Sequence, residues 1–237
     1  MIITSVNNKL IKDLMKLKQK KYRQEYYLVE SAHLVDEAIK KGVADLIITC
    51  KPVNTDIETI EVSKEVMEKL AFTKTPQSIM ARCKKIDNDE MIEGSRYLIL
   101  DSLQDPGNVG TLIRTALAFG IDQVILSHQS VDIYNDKVLR SMQGAHFHLS
   151  CIYRDLKEVI PLLQEKGVTV VGSALENGKD IHLLEKKEKM AFVLGNEGNG
   201  MSQEIIDICD VIGYIPIDTI ESLNVAIAGS IMMYHFK

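Results

Sequence analysis

The chain has 237 residues, 46% of them apolar, a net charge of −5 and no tryptophan. That size and apolar content suit one large domain or two small ones with real cores, and they exclude a globally disordered chain. No apolar run is long enough to span a bilayer, and the opening MIITSVNNKLIK lacks the apolar stretch of a secretory signal. Four scattered cysteines (Cys50, Cys83, Cys151, Cys209) read as reduced core residues of a cytoplasmic protein, not as a disulfide framework or zinc site.

The first third of the chain mixes helix and strand. Leu10, Leu14 and Leu17 repeat at helical spacing. Around them stand Lys9, Lys12, Lys16, Lys18, Lys20, Lys21 and Arg23, opposed in that span only by Asp13. Two readings are open: a solvated helix face, or a patch for a polyanion. A strand is expected at 26–29, and a helix at 31–41 with Ser31 as cap and Gly42 as stop. A buried strand at 45–50, a helix at 63–71 and a strand at 79–86 complete a small α/β domain, residues 1–90. The acidic stretch DNDEMIEG, 87–94, reads as a linker. Residues 1–94 hold 16 Lys/Arg against 15 Asp/Glu, whereas the rest holds 12 against 18. The basic patch therefore stands out on an otherwise acidic chain.

From residue 97 the alternation is regular. Strands are expected at 97–101, 123–127, 147–152, 168–174, 190–195 and 211–217, and helices at 109–119, 134–142, 154–166, 202–208 and 223–235. Strands alternating with helices imply βαβ units and a mostly parallel sheet, here a second domain over 95–237. Ligands of such sheets sit at the carboxyl ends of the strands, so the loops that follow strands carry the interest.

The first such loop leads into DPGNVGTLIRTALAFG, 105–120, where Asn108 is a plausible helix cap. The helix is apolar except for a narrow stripe of Thr111, Arg114 and Thr115. Arg114 is either half of a structural ion pair or a grip for a phosphate or carboxylate. The second loop is LGNEGNGMS, 194–202, with three glycines around Glu197. It matches neither phosphate-cradling glycine pattern, and its acid would repel phosphate. It fits a cationic partner, Arg114 or a positively charged ligand, or else a tight turn before helix 202–208. The third is IPIDTIESLNVAIAGSIMMYHF, 215–236. Here a strand ends, and Ser222 or Glu221 opens a helix that is apolar on nearly every side. Such a helix is buried all round, within the domain or in a dimer interface. Asn224 falls in its first turn, where backbone N–H groups are free. His146 and His148 lie one residue apart in an expected strand without a third ligand, so no metal site is expected.

The three stretches DPGNVGTLIRTALAFG, LGNEGNGMS and IPIDTIESLNVAIA, in that order and each after a strand, resemble the motifs of the SpoU (TrmH-like) family of RNA 2′-O-ribose methyltransferases. KVLRSMQGAHFHL, 137–149, is similar to a family segment between the first two motifs. KKYRQEYYLVESAHLVDEA, 20–38, resembles the small substrate-binding domain that many members carry. The resemblance implies a C-terminal α/β trefoil-knot domain with a mostly parallel sheet, preceded by a small α/β RNA-binding domain. It implies S-adenosylmethionine as cofactor, held by Leu194, Gly195, Asn196, Gly198, Gly200, Ile215, Ile217 and Leu223, and a homodimer packed through the knot helices. Asn108, Arg114, Glu197, Ser222 and Asn224 would be catalytic or substrate-positioning, with Glu197 bracing Arg114. RNA as partner, ribosomal before transfer RNA, turns Lys16, Lys18, Lys20, Lys21 and Arg23 into an RNA-binding surface.

Arg114 is often proposed as the base in this family. A guanidinium stays protonated, so its role is better read as clamping an RNA phosphate. The competing reading is a non-catalytic, ribosome-associated RNA-binding module of the same fold. A nucleotide-dependent enzyme of the doubly wound class lacks its phosphate signatures here. Three departures from the family pattern stand out. The third-motif loop is short, only residues 218–220 before Glu221. Glu30-Ser31 stands where Glu-Gly is common, and Gln143 where a smaller residue is usual.

Overall fold

The computed structural model describes residues 2–86, 89–176, 178–220 and 222–237. Its contacts divide the chain into two compact units: Met1–Asp87 with Tyr134–Phe147, and Asn88–Ile133 with His148–Lys237.

The first unit is built on strands β1 (Ile2–Ile3), β2 (Tyr26–Glu30), β3 (Ala44–Thr49), β4 (Thr59–Val62) and β5 (Ile79–Lys84), with helices α1 (Lys9–Lys16), α2 (Ala32–Lys41) and α3 (Lys64–Leu70). The sheet order is β1-β4-β3-β5-β2, and β5 runs antiparallel to both its neighbours. Strands β1 and β4 were not expected, being short and poor in buried side chains. The caps behave as read: the Ser31 hydroxyl accepts the Leu34 N–H, and Gly42 ends α2 at φ 74°. Ile11 and Leu14 of α1 and Val66, Met67 and Leu70 of α3 pack on Leu28, Leu46, Ile48 and Met80 of the sheet.

The second unit contains β6 (Arg96–Leu100), α4 (Pro106–Ala118), β7 (Gln123–Leu126) and β8 (Ser150–Tyr153). The chain then gives α6 (Leu156–Glu165), β9 (Thr169–Ser173), β10 (Lys179–Asp180), β11 (Met190–Leu194), α7 (Gln203–Ile208), β12 (Val211–Tyr214) and α8 (Val225–His235). Seven strands lie in the order β10-β12-β9-β11-β6-β7-β8, and every pairing is parallel. All five residues of β11, MAFVL, are buried, the continuous apolar pattern of a strand covered on both faces. The parallel α/β architecture is as expected, with β10 as an unforeseen edge strand. The remaining helix, α5 (Asp136–Met142), lies in the segment Tyr134–Phe147 that packs with the first unit.

Several boundaries move. The expected strand 147–152 begins as a 3-10 turn, Ala145–Phe147, and only Ser150–Tyr153 is strand, so His146 is not on a strand. Strand β12 ends at Tyr214, which leaves Ile215, Pro216 and Ile217 in the loop. Helix α4 starts at Pro106 and is capped by Asp105, whose carboxylate accepts the Asn108 N–H at 2.8 Å; Asn108 is therefore inside the helix and not its cap. Helix α8 starts at Val225 with Asn224 as cap, not at Ser222, and Glu221 lies outside the described residues. Asp87 and Asn88 of the expected linker do so too. No helix among the described residues is long and apolar enough to cross a membrane.

Candidate active site

Strands β6, β11, β9 and β12 are neighbours in one parallel sheet, so their carboxyl ends open on the same edge. There lies a cavity of about 750 Å³. Every residue expected to hold a cofactor lines it: Leu194, Gly195, Asn196, Gly198, Gly200, Ile215, Ile217 and Leu223. Glu197, Ser222 and Asn224 line it as well. The sequence reading missed Ser173, Ala174, Leu175 and Glu176, the loop after β9, along with Tyr214 at the end of β12. The rule that ligands sit at strand carboxyl ends applies to that loop as it does to the others. It carries no motif, and so nothing singled it out.

The glycine loop is closed on itself. Asn196 N–H donates to the Gly200 carbonyl and Gly200 N–H to the Asn196 carbonyl, both at 2.9 Å. The Asn196 amide oxygen accepts the N–H of Gly198 and Asn199, while its nitrogen donates to the Ser102 carbonyl at 2.9 Å. A Cβ at Gly195 would stand 2.0 Å from the Met201 nitrogen and 2.2 Å from the Gly200 carbonyl carbon, so only glycine lets the loop fold back. Gly200 turns at φ +70°.

Glu197 is the hub of a polar chain. Its carboxylate accepts the Asn108 amide at 3.1 Å and the backbone N–H of Gln104 (3.4 Å) and Asp105 (3.2 Å). Asn108 in turn accepts the Asn224 amide at 3.0 Å, and Asn224 caps α8 by accepting the N–H of Ala226 and Ile227. Partial burial alone would raise the Glu197 pKa. Hydrogen bonds from Asn108, from its own amide and from those of Gln104 and Asp105 outweigh that and hold it below the usual carboxylate value. Three candidate residues from three separate stretches of the chain are thus joined in one hydrogen-bonded chain.

Arg114 is not part of this chain, which corrects the expectation that Glu197 braces it. It sits on the exposed side of α4, does not line the cavity, and makes no hydrogen bond or ion pair with another described residue. The basic stretch of the first unit divides in two. Lys20 and Lys21 are exposed, with the Lys21 ammonium 4.9 Å from the Tyr22 ring centre, and Lys16 is exposed but paired with Asp13 at 2.8 Å. Lys18 instead donates to the carbonyls of Lys69 and Ala71, both at 2.7 Å. Arg23 is buried and donates to the carbonyls of Leu17 and Lys18. These two cations fasten the chain between α1 and β2. His146 is buried, with its Nε2 2.9 Å from the Tyr27 hydroxyl, and no metal-binding cluster occurs among the described residues.

The lining suits one class of ligand. Among the described residues it contains two carboxylates, Glu176 and Glu197, and no lysine, arginine or histidine. Residues 194–201 of the glycine loop form one continuous stretch of its wall. A phosphate finds no counter-charge there, whereas a cationic sulfonium with an uncharged nucleoside fits.

A parallel sheet ending in such a pocket, with a polar relay beside it, suits an RNA methyltransferase that takes its methyl group from S-adenosylmethionine. The profile of the SpoU rRNA Methylase family matches residues 95–234, that of the MRM3-like substrate binding domain matches residues 8–81, and the chain belongs to the SpoU rRNA methylase family. The 23S rRNA (guanosine(2553)-2′-O)-methyltransferase RlmP of Bacillus subtilis is 37% identical, over 99% of this chain and 98% of its own. An rRNA methyltransferase from Sinorhizobium meliloti, solved with S-adenosylmethionine bound, superposes with a TM-score of 0.90 at 26% identity, covering 100% of this chain and 97% of the other. The SpoU methyltransferase AviRb of Streptomyces viridochromogenes shares the fold with a TM-score of 0.88 at 20% identity, over 97% of each chain.

Proposed function

We propose that the chain methylates a ribose 2′-hydroxyl of ribosomal RNA. The observation that carries this is the hydrogen-bonded chain Glu197–Asn108–Asn224, whose two ends, Glu197 and Asn224, line the glycine-loop pocket. The similarity to an enzyme named for 23S rRNA, over nearly the whole chain, favours ribosomal over transfer RNA. The match to a substrate-binding domain at residues 8–81 agrees.

The cofactor supplies a methyl group activated on a sulfonium, and the protein's task is alignment. Backbone of the 194–200 loop, with Ile215, Ile217 and Leu223, holds the cofactor. Among the described residues, the amides of Asn108 and Asn224 each have one N–H engaged and one to spare. With the exposed Ser222 hydroxyl at the same rim, they orient ribose and phosphate oxygens. Glu197 fixes the direction in which Asn108 points. Arg114 grips a neighbouring RNA phosphate, the role its permanent charge suits. Lys16, Lys20 and Lys21 steer the RNA backbone, with Lys18 and Arg23 shaping the surface that presents them.

The active form is a homodimer. Helix α8 leaves Ile227, Ile231 and Tyr234 exposed along one stripe, and α4, which packs against α8, leaves Leu117 exposed. Arg114, one turn before Leu117, then lies at the seam. The C-terminal chain is threaded as the family's trefoil knot, in keeping with a sheet order in which β9, β10 and β11 are not sequential neighbours. The reaction takes place in the cytoplasm, which the four free cysteines suit.

The test is incubation with methyl-labelled S-adenosylmethionine and ribosomal RNA from a strain lacking the gene, followed by nucleoside analysis. Label is expected in a 2′-O-methyl nucleoside. Binding of RNA without binding of S-adenosylmethionine, with no label transferred, would establish the non-catalytic module instead.

A further inference from the structure

We propose that Asp101, at the carboxyl end of β6, is the positioning residue for the cofactor-binding loop. The inference rests on the reading of that loop as the cofactor wall. Asp101 is 6% exposed, one of the few buried charges among the described residues. No ion pair accompanies it among the described residues, so hydrogen bonds alone satisfy it. Its Oδ2 accepts both the backbone N–H of Ser202 at 2.9 Å and the Ser202 hydroxyl at 3.1 Å, and its Oδ1 accepts the Ser102 hydroxyl at 3.0 Å.

These bonds fall at a telling place. Ser202 is the residue immediately after the 194–201 stretch of the pocket wall. At the other end of the loop the Asn196 amide donates to the Ser102 carbonyl. The dipeptide Asp101-Ser102 therefore holds the loop at both ends. The dipeptide is itself held: Asp101 N–H donates to the Leu194 carbonyl at 2.8 Å, and Ser102 N–H to the Ser127 hydroxyl at 2.8 Å. Ser102 adopts φ 59°, a left-handed conformation rare for serine. A loop with three glycines has many conformations of comparable energy. A buried, fully satisfied clasp selects one before the ligand arrives and spares the ligand the cost of ordering it.

None of these atoms needs to touch the cofactor. The role rests on hydrogen-bond acceptance rather than charge, and that separates the clasp from an electrostatic contribution. Asn keeps the shape, and its amide oxygen serves both Ser202 donors, while the Ser102 hydroxyl rotates to accept from the new amide nitrogen. Ala keeps neither.

Titration of the purified protein with S-adenosylmethionine by calorimetry tests this, with affinity for ribosomal RNA measured alongside. Wild-type binding comes first: without it the pocket reading itself fails, whatever the variants do. Given that binding, Asp101→Ala is expected to weaken cofactor affinity about tenfold or more, with RNA affinity within about twofold of wild type. Asp101→Asn should recover most of the loss, and Ser202→Ala, which removes one bond only, should show a smaller loss of the same kind. The Asn and Ser202 variants keep the test decisive if the Ala variant does not fold. Wild-type cofactor affinity in Ser202→Ala and Asp101→Ala overturns the proposal. So does an Asn variant as impaired as Ala, or parallel loss of RNA and cofactor binding.

Discussion

Asn108 occupies the third position of α4, and its side chain joins two loops that are distant in sequence. Its nitrogen donates to Glu197 and its oxygen accepts from Asn224, so both polar ends have a fixed sense. That makes Asn108→Asp informative. The new carboxylate would face the Glu197 carboxylate, now 3.1 Å from the Asn108 nitrogen, and two carboxylates sharing a site raise the pKa of one of them. At alkaline pH both are charged and the relay is pushed apart. As pH falls a proton enters the pair and restores a hydrogen bond. Methylation is expected to drop roughly a hundredfold near pH 8, the scale of a misplaced reacting group, and to recover in part toward pH 5. Initial rates across that range, for wild type and variant, check it; parallel profiles would remove Asn108 from the aligned site. In the wild type the sign is opposite. The Glu197 pKa is lowered, so its hold on the relay is complete above the ordinary carboxylate value and is lost only as pH falls through the lowered one.

At the scale of the element, the glycine loop shows what the sequence can and cannot say. Three glycines around an acid announce backbone near a ligand, and the missing lysine rules out a phosphate cradle. The letters do not say which glycine is indispensable. Gly195 meets backbone at 2.0 Å and Gly200 has a positive φ, but a Cβ at Gly198 would meet only the Asn196 amide oxygen, at 3.5 Å. Gly195→Ala is therefore expected to abolish binding of S-adenosylmethionine, because no side chain can yield to relieve the clash. Gly198→Ala should bind within about threefold of wild type, since a Cβ in ordinary van der Waals contact costs little. Calorimetry on both, with circular dichroism to confirm the fold, decides; equal effects would mean that the loop is not held in this closed form. The helix starts show a similar limit. Asp105 and Asn108, or Ser222 and Asn224, are all good caps by composition. Only the direction of one N–H separates them, and that is set by the turn before the helix. Strand periodicity fared better, because buried parallel strands are continuous apolar runs: β6, β7, β9 and β11 fall within a residue or two of their expected places.

At the scale of the molecule, the sequence resolves what is local and misses what is long-range. It finds the basic stretch but not that Lys18 reaches carbonyls about fifty residues away. It finds a helix at 134–142 but not that Tyr134–Phe147 packs with the first unit. Two departures from the family pattern prove to be backbone specialities: Ser31 has φ 123° and Gln143 φ 51°. An all-round apolar α8 is open to burial within the domain or at a dimer interface, and the domain buries only one side of it. One side carries Gly229, where a Cβ would meet Leu194 and Leu112, with Met232 and Met233 buried. The other leaves Ile227 at 51% exposure, Ile231 at 37% and Tyr234 at 69%. These positions are spaced i, i+4, i+7, a continuous stripe and not scattered side chains. A stripe that meets itself across a two-fold axis closes the assembly at two copies. Size-exclusion chromatography with light scattering is thus expected to give twice the 26.6 kDa of one chain at micromolar concentration. Ile227→Lys combined with Tyr234→Lys should give the single-chain mass with an unchanged circular dichroism spectrum. Methylation should fall with it, since Arg114 would lose its place at the seam. A wild-type monomer, or a double variant that keeps the doubled mass, would show that this stripe is not where two copies meet.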